Sequence, residues 1–369
     1  MNRLVTPRSA PGSSGPTPTP DFGQRLSVIH WPQSPHLPNL LVVKAFVVSD
    51  EGGRLSREVL DYEPHQVNDD DLLVEVHYSS VNFKDALVAS SPSRVRRVDT
   101  VVGGVDAAGV VVKGDALVPR GTSVAVHGGD IGVNRDGGFA EFLYAPRRCL
   151  SPLPSAISTR DAMIIGTAGF TAMASVLALE DRGLVRGANV LVTGATGGVG
   201  SQSVAYLARM GYRPTAATGS PREREWLVDL GAAQVIDRDA IDDRPQRVLA
   251  TEQWDGAVDC VGGETLHRVL RSLRYGAAVA ASGLVAGSGL DTTLYPFITR
   301  AVSLVGIDAV AAPPKTRRRV WDSIAALAPL IDFERFVDHL TTLDGISNAL
   351  DEVARGATRG RTLVALRDS

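Results

Sequence analysis

The segment VLVTGATGGVG, residues 190–200, constrains this chain more than any other. Val190, Leu191 and Val192 are strand formers, and Gly194, Gly197, Gly198 and Gly200 follow at once. A helical pattern, VGSQSVAYLARMG, then begins near Val199. A strand that passes through glycines into a helix turns tightly, leaves its backbone open to a large ligand, and lets the helix pack closely on the sheet. The amides at the positive end of that helix suit a pyrophosphate. A tight turn without a ligand is the alternative, and the surroundings decide between the two. Around the loop, β and α alternate. The candidate strands are NVLVTG, RPTAATG, AQVID, GAVDCV, AAVAASG and SLVGID, and helical stretches follow four of them. Buried apolar strands alternating with amphipathic helices predict a parallel, doubly wound sheet, and in that setting the loop reads as a dinucleotide site.

The strand after the loop bears on which dinucleotide. An NAD site carries Asp or Glu at the end of the second strand, where it binds the ribose 2′-hydroxyl. Here Thr218, Gly219 and Ser220 stand in that place, and Arg222 and Arg224 follow. A missing acid with arginines nearby suits the 2′-phosphate of NADP(H). The competing reading is that Ser220-Pro221-Arg222-Glu223 is a capping box that starts a helix, with the arginines on a solvated face.

Upstream the pattern is β. LLVVKAFVVS is a strand run, DLLVEVHYSSVN alternates, and VVGGVDAAGVVVKGD, TSVAVHGG and GGFAEFLYAP are short β stretches between turns. This predicts a small barrel-like domain, ending near the prolines of CLSPLPSAIS. DAMIIGTAGFTAMASVLALEDRG has helical spacing, and the end of the chain predicts helices and one last strand. Residues 1–38, rich in Pro, Ser, Gly and Thr, read as a tail with too little apolar surface to offset the entropy of ordering. The tail lacks the apolar core of a secretory signal, while its scattered Arg3, Arg8 and Arg25 leave a transit peptide as the alternative.

Composition excludes several classes. A net charge of -3 gives no electrostatic reason for a nucleic-acid partner. No apolar run reaches membrane-span length by inspection, so no membrane partner is expected. Two distant cysteines, Cys149 and Cys260, make no disulfide framework and fit a reducing, cytoplasmic setting. No cysteine cluster or His/Glu set suggests a metal site.

The motifs SSVNFKDAL, GTAGFTAM, ATGGVGS, YGAAVAASGL, PFITRAVSLVGIDAV and RGRTLV resemble the medium-chain dehydrogenase/reductase superfamily, in its zinc-free branch similar to quinone oxidoreductases, and within that the acrylyl-CoA reductase subgroup. The likeness runs from about residue 43 to 367. It implies an α/β fold: a GroES-like β-barrel catalytic domain, split in sequence over residues 39–165 and 309–369, around a Rossmann domain with a doubly wound parallel sheet at 166–308. It implies NADPH and no zinc, and a homodimer is the expected assembly. Carried over by motif, the cofactor contacts fall at Thr196, Gly197, Gly198 and Val199, at Thr218, Gly219 and Ser220, and at Arg238, Leu284, Ile298, Ala309 and Arg361; with Ser220 in place of the family's Arg, the 2′-phosphate clamp falls to Arg222 or Arg238. Leu284 and Ile298 also read as plain core, and Arg238 as a surface charge.

The implied chemistry is reduction of the C=C bond of an α,β-unsaturated carbonyl compound, such as acryloyl-CoA. A quinone or enone reductase and a non-catalytic NADPH-binding protein are the alternatives. Asn82, Phe83 and Asp85 are the candidate catalytic residues, with Lys84 beside them. Lys84 and Asp85 also read as a local ion pair, and Asp106 as structural. The chain departs from the family's pattern at Ser220, which replaces Arg, at Phe83, which replaces Tyr, and at the NRDGG turn of residues 134–138.

Overall fold

A computed structural model describes residues 42–93, 95–242 and 247–367. The expected tail, 1–38, lies outside the described residues. Strands β1 (Val43–Glu51), β2 (Arg54–Tyr62) and β3 (Asp71–Val81) lead into a short helix, α1 (Phe83–Val88). Strands β4 (Thr100–Val102), β5 (Asp106–Lys113), β6 (Ser123–His127), β7 (Phe142–Pro146) and β8 (Leu150–Pro152) precede the long helix α2 (Thr159–Glu180). An alternating region follows: β9 (Asn189–Val192), α3 (Gly198–Arg209), β10 (Arg213–Thr218), α4 (Arg224–Leu230), β11 (Gln234–Asp237), β12 (Trp254–Asp259), α5 (Gly263–Ser272), β13 (Leu273–Ala281), α6 (Tyr295–Arg300) and β14 (Ser303–Gly306). Helix α7 (Pro314–Leu327), β15 (Val337–Thr341), α8 (Ile346–Ala354) and β16 (Arg361–Ala365) close the chain.

Strands β9 to β14 form one six-stranded sheet in the order β11-β10-β9-β12-β13-β14, and every neighbouring pair is parallel. The chain winds outward from β9 through β10 to β11, then returns to the other side of β9 at β12. Ligands bind open α/β sheets at such a reversal, beyond the carboxyl ends of the strands, and the glycine loop sits there. The second sheet, β15-β16-β3-β5-β6-β8 with β7 on β3, is largely antiparallel, and β2-β1-β4 flank it. Both segments of the barrel therefore meet in one sheet, because β16 pairs with β3 in the register Thr362↔Val81. That register sets Arg361 opposite Asn82.

Helix α2 starts at a capping box in which Ser158 and Asp161 bond each other's backbone amides. It breaks at Gly166, whose φ of +51° a side chain would adopt only under strain, and resumes at Thr167. Its length and composition are enough for a membrane span, contrary to the sequence reading, but 83% of the window is buried inside the protein. Phe170, Met173 and Val176 join one core with Ala108 and Ala125 of the barrel and with Val190 and Val258 of the parallel sheet. Fully burying a side chain of this size contributes roughly 1.5–3 kcal/mol. One sequence expectation fails at the end of the chain: β15 is a second terminal strand, parallel to β16.

Candidate active site

The glycine loop has the geometry of a phosphate cradle. Gly194 has φ +57°. A Cβ on Gly200 would fall on the Gly194 carbonyl and 2.7 Å from the Ala195 Cα, so only glycine lets α3 start so close to β9. Gly197 is exposed and caps α3 with its backbone alone, leaving open the approach to the first amides of the helix. These residues fit a dinucleotide pyrophosphate. Thr196, Gly198 and Val199 flank the opening, each half-buried, and the Thr196 carbonyl accepts the Gly360 amide at 2.8 Å, which docks the lead into β16 on the loop.

Beneath the loop lies a buried polar cluster. The Arg361 guanidinium donates to the Ser80 hydroxyl at 2.6 Å, to the Asn82 side-chain oxygen at 3.1 Å and to the Ile164 carbonyl at 3.1 Å. It stands 3.6 Å from the Asp106 carboxylate. Asp106, fully buried, accepts from Asn82 Nδ2 at 2.8 Å, from the Ser80 hydroxyl at 3.1 Å, and from the amide and hydroxyl of Thr167. Asp106 thereby satisfies the first free amide of the helix that restarts after Gly166. A Cβ on Gly166 would lie 2.6 Å from Asp106 and 2.7 Å from Arg361, and one on Gly198 would lie 3.1 Å from Arg361. The break in α2 and the start of α3 thus close around one ion pair. Both ends of the Asn82 amide are held, its nitrogen by Asp106 and its oxygen by Arg361.

Phe83 opens α1 directly after Asn82 and is half-buried. Asp85 makes a capping box with Asn82 and accepts the Val105 amide at 2.8 Å. Its carboxylate accepts backbone amides, and the alternative reading of a Lys84–Asp85 ion pair is not met, since no such pair forms among the described residues. Burial, aided by the nearby Asp106 charge, pushes its carboxyl up to about 7. Position and partners make Asp85 the residue that holds the Asn82–Phe83 corner.

A second buried pair closes the barrel side. Arg317 Nη2 donates to the His127 carbonyl at 2.9 Å, and its Nη1 lies 3.0 Å from His127 Nε2. Burial and the neighbouring guanidinium push the His127 imidazole down to about 3. The backbone of Ala309, itself buried, lies beside the same ring. Gly128 admits the Val310 carbonyl where a Cβ would be 2.5 Å away, so the barrel rim touches the chain leaving β14.

Of the remaining predicted residues, Thr218, Gly219, Ser220, Arg238 and Leu284 lie at or just after the carboxyl ends of strands, while Ile298 lies on α6, which leads into the amino end of β14. Thr218 is buried, and its hydroxyl accepts the Ser220 amide at 3.0 Å. Ser220 does start a short 3-10 turn with Pro221 at its first position, but its side chain caps nothing and Glu223 turns to Arg222 and Arg359, so the side-chain bonds of a capping box do not form. Arg238 is exposed, yet its guanidinium lies over Gly219, where any Cβ would collide with it. Leu284 and Ile298 are exposed, at 56% and 73%, and the plain-core reading is wrong for both. Leu284 borders a cleft of about 460 Å³ with Gly283, Ile307 and Asp308. Ile298, on α6, is not among its walls. Sequence reasoning passed over Ser80, Thr167, His127 and Arg317, and read Asp106 as structural without finding its partners. The signal was a charge inside a Gly/Ala-rich strand, GGVDAAG, where a carboxylate has nowhere to go but a buried partner. Among the described residues no three His, Cys, Asp or Glu side chains form a group able to hold a metal.

Comparison with known proteins agrees with this architecture. Residues 68–155 match the family described as alcohol dehydrogenase GroES-like domain, and residues 198–326 the one described as zinc-binding dehydrogenase. The chain is 40% identical over 328 residues to the acrylyl-CoA reductase AcuI of Ruegeria pomeroyi, covering 88% of this chain and 98% of that one. It is also 40% identical over 299 residues to a protein of Bacillus subtilis described as quinone oxidoreductase YhfP, covering 80% and 91%. The crystal structure of YhfP with NAD bound superposes with a TM-score of 0.85 at 38% identity, over 88% of this chain and 99% of that one. That of Escherichia coli YhdH with bound NADPH gives 0.83 at 37%, over 88% and 100%. The chain belongs to the medium-chain dehydrogenase/reductase superfamily, in the branch of the AcuI acrylyl-CoA reductases and the quinone oxidoreductase YhfP.

Proposed function

We propose that this protein is a zinc-independent, NADPH-dependent reductase of the C=C bond of α,β-unsaturated carbonyl compounds, with a short acyl-CoA such as acryloyl-CoA as substrate. The observation that carries this reading is the tie between the glycine loop and the Asn82–Phe83 corner through Gly360 and Arg361. It brings a dinucleotide cradle and a rigid, half-buried aromatic rim together. When bound, the nicotinamide supplies a hydride to the β-carbon. The chain's own residues bind and orient. The amides at the start of α3 take the pyrophosphate, Phe83 packs beside the nicotinamide ring, and the Asp106–Arg361 pair fixes Asn82. Phe83 has no proton to give, so water protonates the α-carbon. Relatives named for acryloyl-CoA reduction support this substrate.

Phe83 also favours a second reading, reduction of a quinone or enone, which needs little acid assistance, and the likeness to YhfP supports it. The same proposal divides the chain at about residue 165, where Gly166 breaks α2, and at about residue 308, in the exit from β14. It makes the protein a homodimer joined across β14, one of the two edges of the parallel sheet, beside the exposed Leu294, Tyr295, Ile298 and Leu304. Two free cysteines suit a reducing compartment. The test is NADPH oxidation with acryloyl-CoA, crotonyl-CoA and a quinone panel. Turnover of the thioesters above the quinones is the expected result, and quinone turnover alone moves the second reading ahead. Elemental analysis of the purified protein is expected to find no stoichiometric zinc.

A further inference from the structure

The turn after β10 carries no cation of its own at Thr218, Gly219 or Ser220, yet three arginines from three separate segments surround it. Arg222 follows Ser220 and pairs with Glu223 at 3.2 Å. Arg238, just after β11, lies over Gly219 and makes no ion pair among the described residues. Arg359 arrives from the far end of the chain. Its Nη1 donates to the other oxygen of Glu223 at 3.1 Å, its guanidinium lies 5.1 Å from the centre of the Trp226 ring, and its Nε is 3.7 Å from Asp338.

The position of Arg359 is set by the backbone. The next residue, Gly360, donates its amide to Thr196 in the glycine loop. The side chain therefore runs from the side of the glycine loop to Glu223 and Trp226, just past the Ser220 turn. A ribose held at Thr218–Ser220 would have Arg238 on one side of the turn, over Gly219, and Arg222 and Arg359 on the other, at Glu223. Glu223, 14% exposed, sits between Arg222 and Arg359 and would repel a phosphate unless both cations stay beside it.

We propose that Arg359 is a specificity-determining residue for the phosphorylated ribose of the cofactor, acting with Arg238. The barrel segment that leads into β16 thereby supplies one side of the 2′-phosphate subsite, and Glu223 sets the position of the Arg359 guanidinium. Arg238 supplies the facing charge, and Trp226 holds the Arg359 stem against the turn. The inference rests on the NADPH reading given above.

Calorimetric titration of the full-length protein with 2′,5′-ADP and with 5′-AMP tests it without turnover. The wild type is expected to bind 2′,5′-ADP at least about tenfold more tightly than 5′-AMP, a difference of roughly 1.4 kcal/mol. Arg359→Ala should lose most of that ratio while 5′-AMP affinity changes less than about twofold, as expected for a charge-assisted contact to phosphate alone. Arg359→Gln, which keeps most of the stem on Trp226, should behave the same way, separating charge from packing. An unchanged ratio in both variants, with a ratio lost in Arg238→Ala, would overturn the proposal and leave Arg238 as the sole clamp. Equal weakening of both nucleotides would overturn it too, by making Arg359 a prop for the adenosine pocket. A wild type without any preference would sink the NADPH reading itself, and this inference with it.

Discussion

Arg359 and Arg361 are separated by one glycine and do opposite kinds of work. Arg361 is 3% exposed and its donors are committed to Ser80, Asn82, Ile164 and the Asp106 charge. Arg359 is 43% exposed and shares one carboxylate with Arg222. The buried cluster and the exposed turn use the same residue type, but the environment decides what the charge is for. A guanidinium sealed among fixed partners cannot move without leaving an uncompensated buried charge. It therefore fixes geometry, here the corner that carries Asn82 and Phe83. A guanidinium near the surface is screened, contributes little to stability, and can turn its charge to a ligand at small cost.

The largest effect should come from breaking the buried side. Arg361→Ala leaves Asp106 buried without its cation, and the expected loss of unfolding free energy is about 3–5 kcal/mol. Urea denaturation measures it. A loss below about 1 kcal/mol would mean that the two regions do not differ as argued. Arg359→Ala, in the same assay, should stay within about 0.5 kcal/mol of the wild type.

Acid should separate the regions next. The His127 imidazole is held well below its ordinary value of 6.5, down to about 3, by burial and Arg317. Between those values the unfolded chain binds the proton and the folded chain does not, so this contribution is present above about 6.5 and is lost as pH falls toward 3. Buried Asp85, pushed up to about 7, works in the opposite sense: between its ordinary 3.8 and about 7 the folded chain holds the proton, and stability falls as pH rises. Melting temperature measured from pH 7 down to pH 4 should show less acid loss in His127→Gln than in the wild type. Parallel curves for the two proteins would remove His127 from the account.

Phe83 follows Asn82, which the buried cluster fixes, and is half-buried. If the ring acts by shape, Phe83→Tyr should change kcat by less than about tenfold, or roughly 1.4 kcal/mol in barrier. A gain above about a hundredfold on an acyl-CoA would instead mark a lost general acid. The smallest effect belongs to salt. Raising it from 50 to 500 mM, arbitrary but ordinary conditions spanning roughly a threefold change in screening length, should erode the preference for 2′,5′-ADP several-fold and leave the urea midpoint of the buried cluster nearly unchanged.

Much of this architecture is legible in the amino-acid sequence, for physical reasons that also mark where reading stops. The six parallel strands announce themselves because strands covered on both faces are continuous apolar runs. The edge strand VDHLT, β15, alternates polar and apolar residues over only five positions and is lost among the helices around it. The break at Gly166 hides inside a helical pattern, since a glycine there is visible but its positive φ is not. Ser220-Pro221-Arg222-Glu223 has every residue of a capping box, yet Glu223 is drawn away by arginines, one of them 136 positions distant. Leu284 and Ile298 look like core because apolar character does not report which side of a turn faces solvent. The glycine loop is readable because its function needs glycine at fixed spacing. The Asp106–Arg361 pair is not, because its two halves lie 255 residues apart, 361 minus 106, and meet only through the β3–β16 register.

The most direct test is the ratio of kcat/KM for NADPH over NADH with acryloyl-CoA as substrate, measured on the unmodified protein at low salt. The account predicts turnover with both cofactors and a ratio above about ten, worth roughly 1.4 kcal/mol in the barrier. Equal values for the two cofactors, or no oxidation of either in the presence of the thioester, would contradict it.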